Sequence, residues 1–288
     1  MKTAIVTDST AYLSQAECDQ YHITVIPLLV LMNGKTYREG VDIDNQTFYR
    51  KLKASKYLPS TSQAPMGTLI KTYDHLAQQG YDAVISIHLA STISGMYEQV
   101  RSLAPTLSNI KVIPYDSHIT VRLMGYLVLV AAKMAQAGRS VKAILDRLND
   151  LRSTINEVFV VDDLKNLVKG GRLSNASGWV GSLLRIKPLL TFDDRSDRIV
   201  AFQKIRSRKK ALKRSEAIFA KHVQAANYPV RAVVVNADDP KGGDFWAKHI
   251  QSMYPKMTVE QSYFGPIIGT HLGAKALALG WIKDFDRA

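Results

Sequence analysis

The chain has 288 residues, of which 46% are hydrophobic and 22% are charged, and its formal net charge is +13. This length predicts two domains with large apolar cores, and the composition excludes a disordered chain. The single cysteine, Cys18, excludes an intrachain disulfide and favours a reducing compartment, so we predict a cytoplasmic protein. The longest apolar run, residues 124–135, is shorter than a membrane-spanning helix requires.

Basic residues crowd residues 204–214, where seven of eleven positions are lysine or arginine. Such a cluster attracts nucleic acid, anionic lipid or an acidic protein, and a solvated helix face is the alternative interpretation. No zinc-finger or aromatic ribonucleoprotein motif accompanies it, so we predict no nucleic-acid partner. An anionic membrane surface stays among the predicted partners.

Strand and helix signals alternate through the first half of the chain. Buried strands are predicted at residues 3–6, 24–31, 82–88 and 110–114, with helical segments between and after them. This order predicts an α/β domain with a parallel sheet over residues 1–155. Ligands gather at the carboxyl ends of such strands, and polar loops follow three of them, at residues 8–10, 91–95 and 116–120.

The second half mixes strand-like runs with long helices. The strand-like runs occupy residues 158–161, 187–192, 198–202, 230–235 and 257–259, and a polar turn at residues 194–197 separates two of them. Long helices are predicted at residues 207–226 and 243–253. We therefore predict an α+β domain with a mainly antiparallel sheet over residues 156–288.

Motifs of common catalytic sites are missing from the sequence. It contains no nucleophile elbow, phosphate-binding loop, dinucleotide fingerprint or zinc-protease motif, and its seven histidines lack ligand spacing. We predict no catalytic residue, no metal and no cofactor. Small hydroxyls beside glycine can donate hydrogen bonds to an anionic head group, although helix capping is the alternative. The candidate hydroxyls near strand ends include Thr61, Ser62, Ser94 and Ser117, and Gly95 beside Ser94 is a further candidate ligand-binding residue.

A second candidate cluster begins at Gly170-Gly171-Arg172. Two glycines allow a close approach of the backbone to another group, and the arginine can form paired hydrogen bonds with a carboxylate or phosphate. The alternative is a helix over residues 162–169 that ends at glycine and carries a surface arginine. His271 is predicted to lie where a strand or loop meets the last helix, and a structural role is the alternative for it.

These motifs follow the order found in the DegV family, which the chain resembles over nearly its whole length. The most specific match is Gly170-Gly171-Arg172-Leu173-Ser174, followed by Gly178, Gly181 and Ile186-Lys187-Pro188-Leu189-Leu190. Shorter matches lie at Thr7-Asp8-Ser9-Thr10-Ala11, Glu39-Gly40-Val41-Asp42-Ile43, Thr61-Ser62-Gln63, Ser94-Gly95-Met96-Tyr97 and Asp116-Ser117. The chain departs from the usual family residues at Ala64, Met96, Ala274 and Lys275.

The resemblance implies a carrier subunit that holds a long-chain fatty acid, such as palmitate or oleate, in a buried tunnel. A separate fatty acid kinase catalytic subunit would convert the presented carboxylate into an acyl phosphate. The resemblance also implies that the hydroxyls of Thr61 and Ser94 bind the carboxylate. It places Arg172 and His271 near the head group at the domain interface.

Two other functions are consistent with the residues. In the first, the protein is a hydrolase or phosphotransferase acting on a small anionic or lipid substrate, with Ser94 as nucleophile and His271 as base. A serine needs such a base within hydrogen-bond distance to be reactive. In the second, the protein is a regulatory module whose basic residues 204–214 bind membrane lipid or an acidic partner.

Overall fold

A computed structural model of the chain describes residues 2–162, 164–182 and 186–287. The chain divides into two compact units. The first comprises residues 1–42 and 61–153, and the second comprises residues 43–60 and 154–288. The boundary predicted near Asn156 stays a prediction, because the units are defined by packing and not by independent folding. Residues 183–185, inside the most specific motif segment, lie outside the described residues.

The strands and helices follow one another closely along the chain. The strands are β1 (Thr3–Asp8), β2 (Ile23–Ile26), β3 (Leu29–Met32), β4 (Lys35–Arg38), β5 (Ser60–Ser62), β6 (Ala83–His88), β7 (Lys111–Asp116), β8 (Asn156–Val160), β9 (Lys187–Phe192), β10 (Ile199–Ile205), β11 (Val230–Asn236), β12 (Thr258–Tyr263) and β13 (Leu277–Lys283). The α-helices are α1 (Gln15–Tyr21), α2 (Asn45–Ala54), α3 (Met66–Gln78), α4 (Met96–Leu103), α5 (Val121–Gln136), α6 (Val141–Arg152), α7 (Lys165–Lys169), α8 (Arg208–Ala225), α9 (Pro240–Met253) and α10 (Pro266–Leu272). Short 3-10 helices occupy Ser9–Ala11, Ala104–Thr106 and Ala176–Ser182.

The main sheet of the first unit has the strand order β2-β1-β6-β7, and every neighbouring pair is parallel. This confirms the predicted parallel α/β architecture. The two central strands, β1 and β6, are buried along their whole length, as strands covered on both faces must be. Because all four strands run in one direction, the loops after β1, β6 and β7 emerge at the same edge of the sheet.

The single strand predicted over residues 24–31 is wrong. The structure has two strands there, β2 in the parallel sheet and β3 in a separate three-stranded sheet of order β4-β3-β5. Pro27, which follows β2, lacks the N–H that a continuous ladder would need, so the chain leaves the first sheet there. Asn33 and Gly34 form a tight hairpin turn between β3 and β4, with φ values of 52° and 73° that asparagine and glycine adopt readily.

The sheet of the second unit has the order β10-β9-β8-β13-β11-β12. Its pairs are antiparallel except for the parallel pair of β11 with β12, which confirms the predicted mainly antiparallel α+β architecture. Strand β13 is a central strand that was not predicted from the sequence. Its run of leucine and alanine is buried throughout, so the alternating pattern of a half-exposed strand is absent.

The core of the second unit includes Phe219, Trp246 and Trp281, with the rings of Phe219 and Trp281 5.2 Å apart between centroids. In the first unit, the apolar run at residues 124–135 belongs to the core helix α5. Within the described residues, no helix combines the length and apolar character needed to cross a membrane.

Candidate functional site

Ser94 and Gly95 lie in the loop between β6 and α4 in the first unit. The half-buried Ser94 hydroxyl accepts a hydrogen bond from the backbone N–H of Met96 at 3.2 Å. Across residues 2–162, 164–182 and 186–287, this is the one hydrogen bond recorded for that hydroxyl. Its proton is therefore available to an incoming acceptor such as a carboxylate oxygen.

Gln63 connects the loop after β5 to the Ser94 loop. Gly95 leaves room for it, because a Cβ at residue 95 would lie 2.5 Å from Oε1 of Gln63. A second link comes from Gln99 of α4, whose Nε2 donates to the carbonyl of Ala64 at 3.0 Å. The structure thus brings the residue 61–64 segment beside the start of α4. Gln63 was not among the predicted site residues, since only its contact with a distant glycine reveals its role.

The two hydroxyls before Gln63 differ in their surroundings. Thr61 is half-buried in β5, whereas Ser62 is exposed. The Ser62 hydroxyl donates to the carbonyl of Gln63 at 3.2 Å, a local contact that leaves the side chain at the surface. Thr61 is therefore the better-shielded donor of this segment.

Ser117 has a local structural contact. It is fully buried after β7, and its hydroxyl donates to the carbonyl of Ile119 at 2.8 Å. The same oxygen accepts from the N–H of Ile119 at 3.4 Å, which closes a turn of the kind that serine often stabilises. Its predicted contact with a ligand stays a prediction.

The two glycines of the second-unit cluster have different roles. Gly171 has φ +71° and ends helix α7 in a Schellman arrangement. The N–H of Gly171 donates to the carbonyl of Val168, and the N–H of Arg172 donates to the carbonyl of Leu167. Gly170 instead provides space, because a Cβ there would lie 2.6 Å from Nδ1 of His271. The Arg172 guanidinium is half-buried and donates to the carbonyl of Gly170 at 2.6 Å.

His271 lies in the last turn of α10, the last helix, just before the loop that begins at Gly273. Asn166 helps to join α10 to α7, because its Nδ2 donates to the carbonyl of Thr270 at 3.3 Å. Loss of solvent, together with the nearby charge of Arg172, lowers the pKa of His271 to about 4. Desolvation also lowers the pKa of Arg172. At neutral pH this cluster therefore contains an arginine cation beside a neutral imidazole.

The predicted site residues fall into two groups, one in each unit. Thr61, Ser62, Ser94, Gly95 and Ser117 belong to the first unit, while Arg172 and His271 belong to the second. Among the departures from the family pattern, Met96 is fully buried and contributes to the core of the first unit. In the described part of the chain, no three His, Cys, Asp or Glu side chains are grouped to hold a metal ion.

The chain thus has the fold of a two-unit mixed α/β class of protein. Its first unit is a parallel α/β unit with a hydroxyl-bearing loop at its strand ends, and its second is a mainly antiparallel α+β unit with an arginine–histidine cluster. The chain belongs to the DegV family. The family model, described as an uncharacterised protein of the DegV family, matches residues 2–284. The predicted family membership is thereby confirmed.

Relatives match the chain from end to end. A DegV domain-containing protein of Listeria innocua is 43% identical, and the alignment covers 97% of this chain and 98% of the relative. The crystal structure of DegV of Bacillus subtilis, described as a fatty acid binding protein, has 40% sequence identity to this chain and a TM-score of 0.91. The match covers 99% of this chain and 100% of the Bacillus subtilis chain. A fatty acid binding DegV family protein of Streptococcus agalactiae has 33% identity and a TM-score of 0.90, with 99% of each chain covered.

Proposed function

We propose that this protein binds a long-chain fatty acid such as palmitate or oleate. The observation that carries the proposal is the match to two solved fatty acid binding proteins at 40% and 33% identity over 99% of this chain. Burial of a palmitate-sized tail removes apolar surface at about 0.8 kcal/mol per CH₂, on the order of 10 kcal/mol before the costs of association. An apolar tail of this size is thus sufficient to drive binding.

The carboxylate needs hydrogen-bond donors, because an unpaired charge in an apolar site is very costly. We assign Thr61 and Ser94 as those donors. The half-burial of both residues and the free proton of the Ser94 hydroxyl support the assignment. Gln63, which contacts Gly95 between the two segments, would keep them in register.

Arg172 and His271 are the second unit's candidates for the head-group end of the ligand. The low pKa of His271, about 4, means that its imidazole can donate or accept a hydrogen bond at neutral pH without adding charge. Arg172 would then supply the positive charge of this cluster. A fatty acid carries one negative charge, which one arginine can balance.

We further propose that the protein is a non-enzymatic carrier in the cytoplasm. It would present the carboxylate to a separate kinase subunit that provides nucleotide and metal and forms the acyl phosphate. Family resemblance supports this step. The test is phosphorylation of bound oleate by a purified fatty acid kinase catalytic subunit with ATP, with and without this protein. Acyl phosphate formation that does not depend on the protein would reject the carrier role.

Fatty acid binding is tested by mass spectrometry of lipid extracted from the purified protein. We expect a long-chain fatty acid in the extract, and a higher melting temperature on addition of palmitate to delipidated protein. Thr61→Ala and Ser94→Ala should weaken binding without unfolding. The matched control is Ser102→Ala, an exposed serine of helix α4, which should bind as the wild type does. Protein that is always empty and is not stabilised by palmitate or oleate would reject the proposal.

The basic segment forms an exposed surface on β10 and α8. One of its charges is compensated locally, since Arg208 forms an ion pair with Asp239. Nε of Arg214 donates to the neutral side chain of Gln203 at 2.9 Å. Within the described ranges, Arg206, Lys209, Lys210 and Lys213 are exposed and have no recorded ion-pair partner. Exposed lysines without partners favour association with anionic surfaces. We therefore propose that this surface docks the carrier on anionic membrane lipid, where fatty acids are exchanged.

Charge reversal of one lysine at a time tests this docking. Lys210→Glu should reduce cosedimentation with vesicles that contain phosphatidylglycerol, and should do so most at low ionic strength. Lys221→Glu is the matched control, because Lys221 is an exposed lysine near the opposite end of the same helix. Equal vesicle binding by both variants would contradict the proposal.

A further inference from the structure

A fully buried chain of polar side chains connects β1, β6 and α3 in the first unit. Nδ1 of His88 lies 3.0 Å from Oδ2 of Asp8, and Nε2 of His88 lies 2.8 Å from the hydroxyl of Ser86. The chain ends at the hydroxyl of Tyr73, 2.8 Å from that of Ser86. All four side chains are fully buried. Because a carboxylate only accepts hydrogen bonds, Nδ1 of His88 is the donor to Asp8.

Both carboxylate oxygens of Asp8 are used. Oδ1 accepts from the N–H of Thr10 at 3.0 Å and from the hydroxyl of Thr10 at 2.6 Å. Oδ2 accepts from His88 and from the N–H of Leu89 at 3.1 Å. Two of these donors are backbone amides, which cannot change their direction or become acceptors. The position of Asp8 is thus determined by four donors from two neighbouring strand ends.

The contact with Leu89 holds the first residue of the loop that carries Ser94. The next residue, Ala90, donates its N–H to the carbonyl of Ile119 at 2.8 Å. The carbonyl of Ala90 then accepts from the N–H groups of Ile93 and Ser94, at 3.1 and 3.2 Å. A short series of backbone contacts therefore runs from the Asp8 carboxylate to the Ser94 backbone.

We propose that Asp8, held by His88, is a positioning residue for the carboxylate site, an inference that rests on the proposed function. It does not touch the ligand. By holding the N–H of Leu89, it determines where the β6–α4 loop begins and so where the hydroxyl of Ser94 is presented. Preorganised donors bind an anion more tightly than mobile ones, because no free energy is needed to order them.

The test compares Asp8→Asn with Asp116→Asn. An amide at residue 8 has only one accepting oxygen, so its NH₂ group must face either the N–H of Thr10 or that of Leu89. Asp116 is a matched control, because its Oδ1 accepts both from the N–H of His118 at 3.0 Å and from the N–H of Ser91 at 3.3 Å, and its Oδ2 lies at the same distance from the N–H of Ser91. An asparagine there can keep both contacts. The readouts are the dissociation constant for oleate, the ¹³C resonance of carboxyl-labelled oleate, and the melting temperature.

We expect Asp8→Asn to bind oleate about tenfold more weakly, which corresponds to about 1.4 kcal/mol. The carboxyl resonance should also shift, because its hydrogen-bond donors have moved. Asp116→Asn should stay within about twofold of the wild type. A folded Asp8→Asn protein with an unchanged resonance would overturn the inference, even if its melting temperature were lower.

If Asp8→Asn does not fold, amide exchange of the wild-type protein provides the test. The amide of Leu89 should exchange as slowly as those of β6 even without ligand, since the anchor exists before binding. Rapid exchange of this amide in the ligand-free protein would overturn the inference. Failure of the proposed function has a different signature, because labelled oleate would then give no bound resonance with the wild type.

Discussion

Nδ1 of His271 lies so close to Gly170 that no larger residue fits between α7 and α10 without moving the imidazole. A Cβ at residue 170 would be 2.6 Å from Nδ1 and 3.0 Å from the carbonyl oxygen of Asn166. The first distance is far inside normal van der Waals contact. Gly170 is therefore required for the position of His271, whereas the adjacent Gly171 is required for the helix end.

Gly170→Ala should displace His271 and lower stability by about 1–3 kcal/mol, the usual cost of overpacking. Gly171→Ala is the matched control, because a Cβ there meets no atom within 4 Å but is strained by a φ of +71°. It should cost about 1–2 kcal/mol without moving the imidazole. The measurements are denaturant unfolding and the NMR shifts of His271, and unchanged shifts in Gly170→Ala would contradict the packing described.

His271 should titrate far below an ordinary histidine. Because burial and Arg172 lower its pKa from 6.5 to about 4, it stays neutral down to moderately acidic pH. The unfolded chain takes up this proton first, so stability should fall as the pH decreases from 6.5 towards 4. The stability of His271→Asn should not show this fall between pH 6.5 and 4, and Arg172→Gln should raise the pKa of His271. An NMR titration midpoint near 6.5 in the wild type would show that the site is solvated.

Gly95→Ala should weaken fatty acid binding with little effect on folding. The φ of Gly95 is −78°, which alanine adopts easily, but its Cβ would lie 2.5 Å from Oε1 of Gln63. The end of a glutamine side chain can move away cheaply, so the Gln63 contact is lost, whereas the hydrogen bond from Gln99 to Ala64 and the core are kept. Gly67→Ala in α3 is the control, since nothing lies within 4 Å and helix propensity predicts about 0.5–1 kcal/mol of added stability. Equal oleate affinity in both variants would show that Gln63 has no role in fatty acid binding.

Glu157 should make the second unit less stable as the pH rises. Its carboxyl accepts from the N–H of Phe192 at 2.7 Å and from the hydroxyl of Thr191 at 2.9 Å. Burial raises its pKa from 4.5 to about 7, so its favourable contribution is complete below pH 4.5 and is lost as the pH rises through 7. Glu157→Gln retains an accepting oxygen, and its melting temperature relative to the wild type should increase between pH 5 and pH 8. Parallel pH profiles for the two proteins would exclude this titration.

Local signals in the sequence determined much of the fold. The runs at β1 and β6, the Asn33-Gly34 turn and the start of α2 at Asp44 were predictable, because each depends on residues adjacent in the chain. The order of strands and helices likewise predicted a parallel sheet followed by a mainly antiparallel one. The ordered motifs were sufficient to identify the family, with the clustered hydroxyls and the Gly170-Gly171-Arg172 segment as candidate site residues.

Tertiary structure decided what depends on contacts between distant residues. Asp8 and His88 are 80 positions apart, and no local pattern indicates that one anchors the other. The same holds for the Gln63–Gly95 contact and for the different roles of Gly170 and Gly171. Strand β13 was missed because its buried residues show no alternating pattern, and only its place between β8 and β11 makes it a strand. Sequence specifies local backbone preferences and chemical groups, whereas burial and long-range hydrogen bonds determine which groups act together.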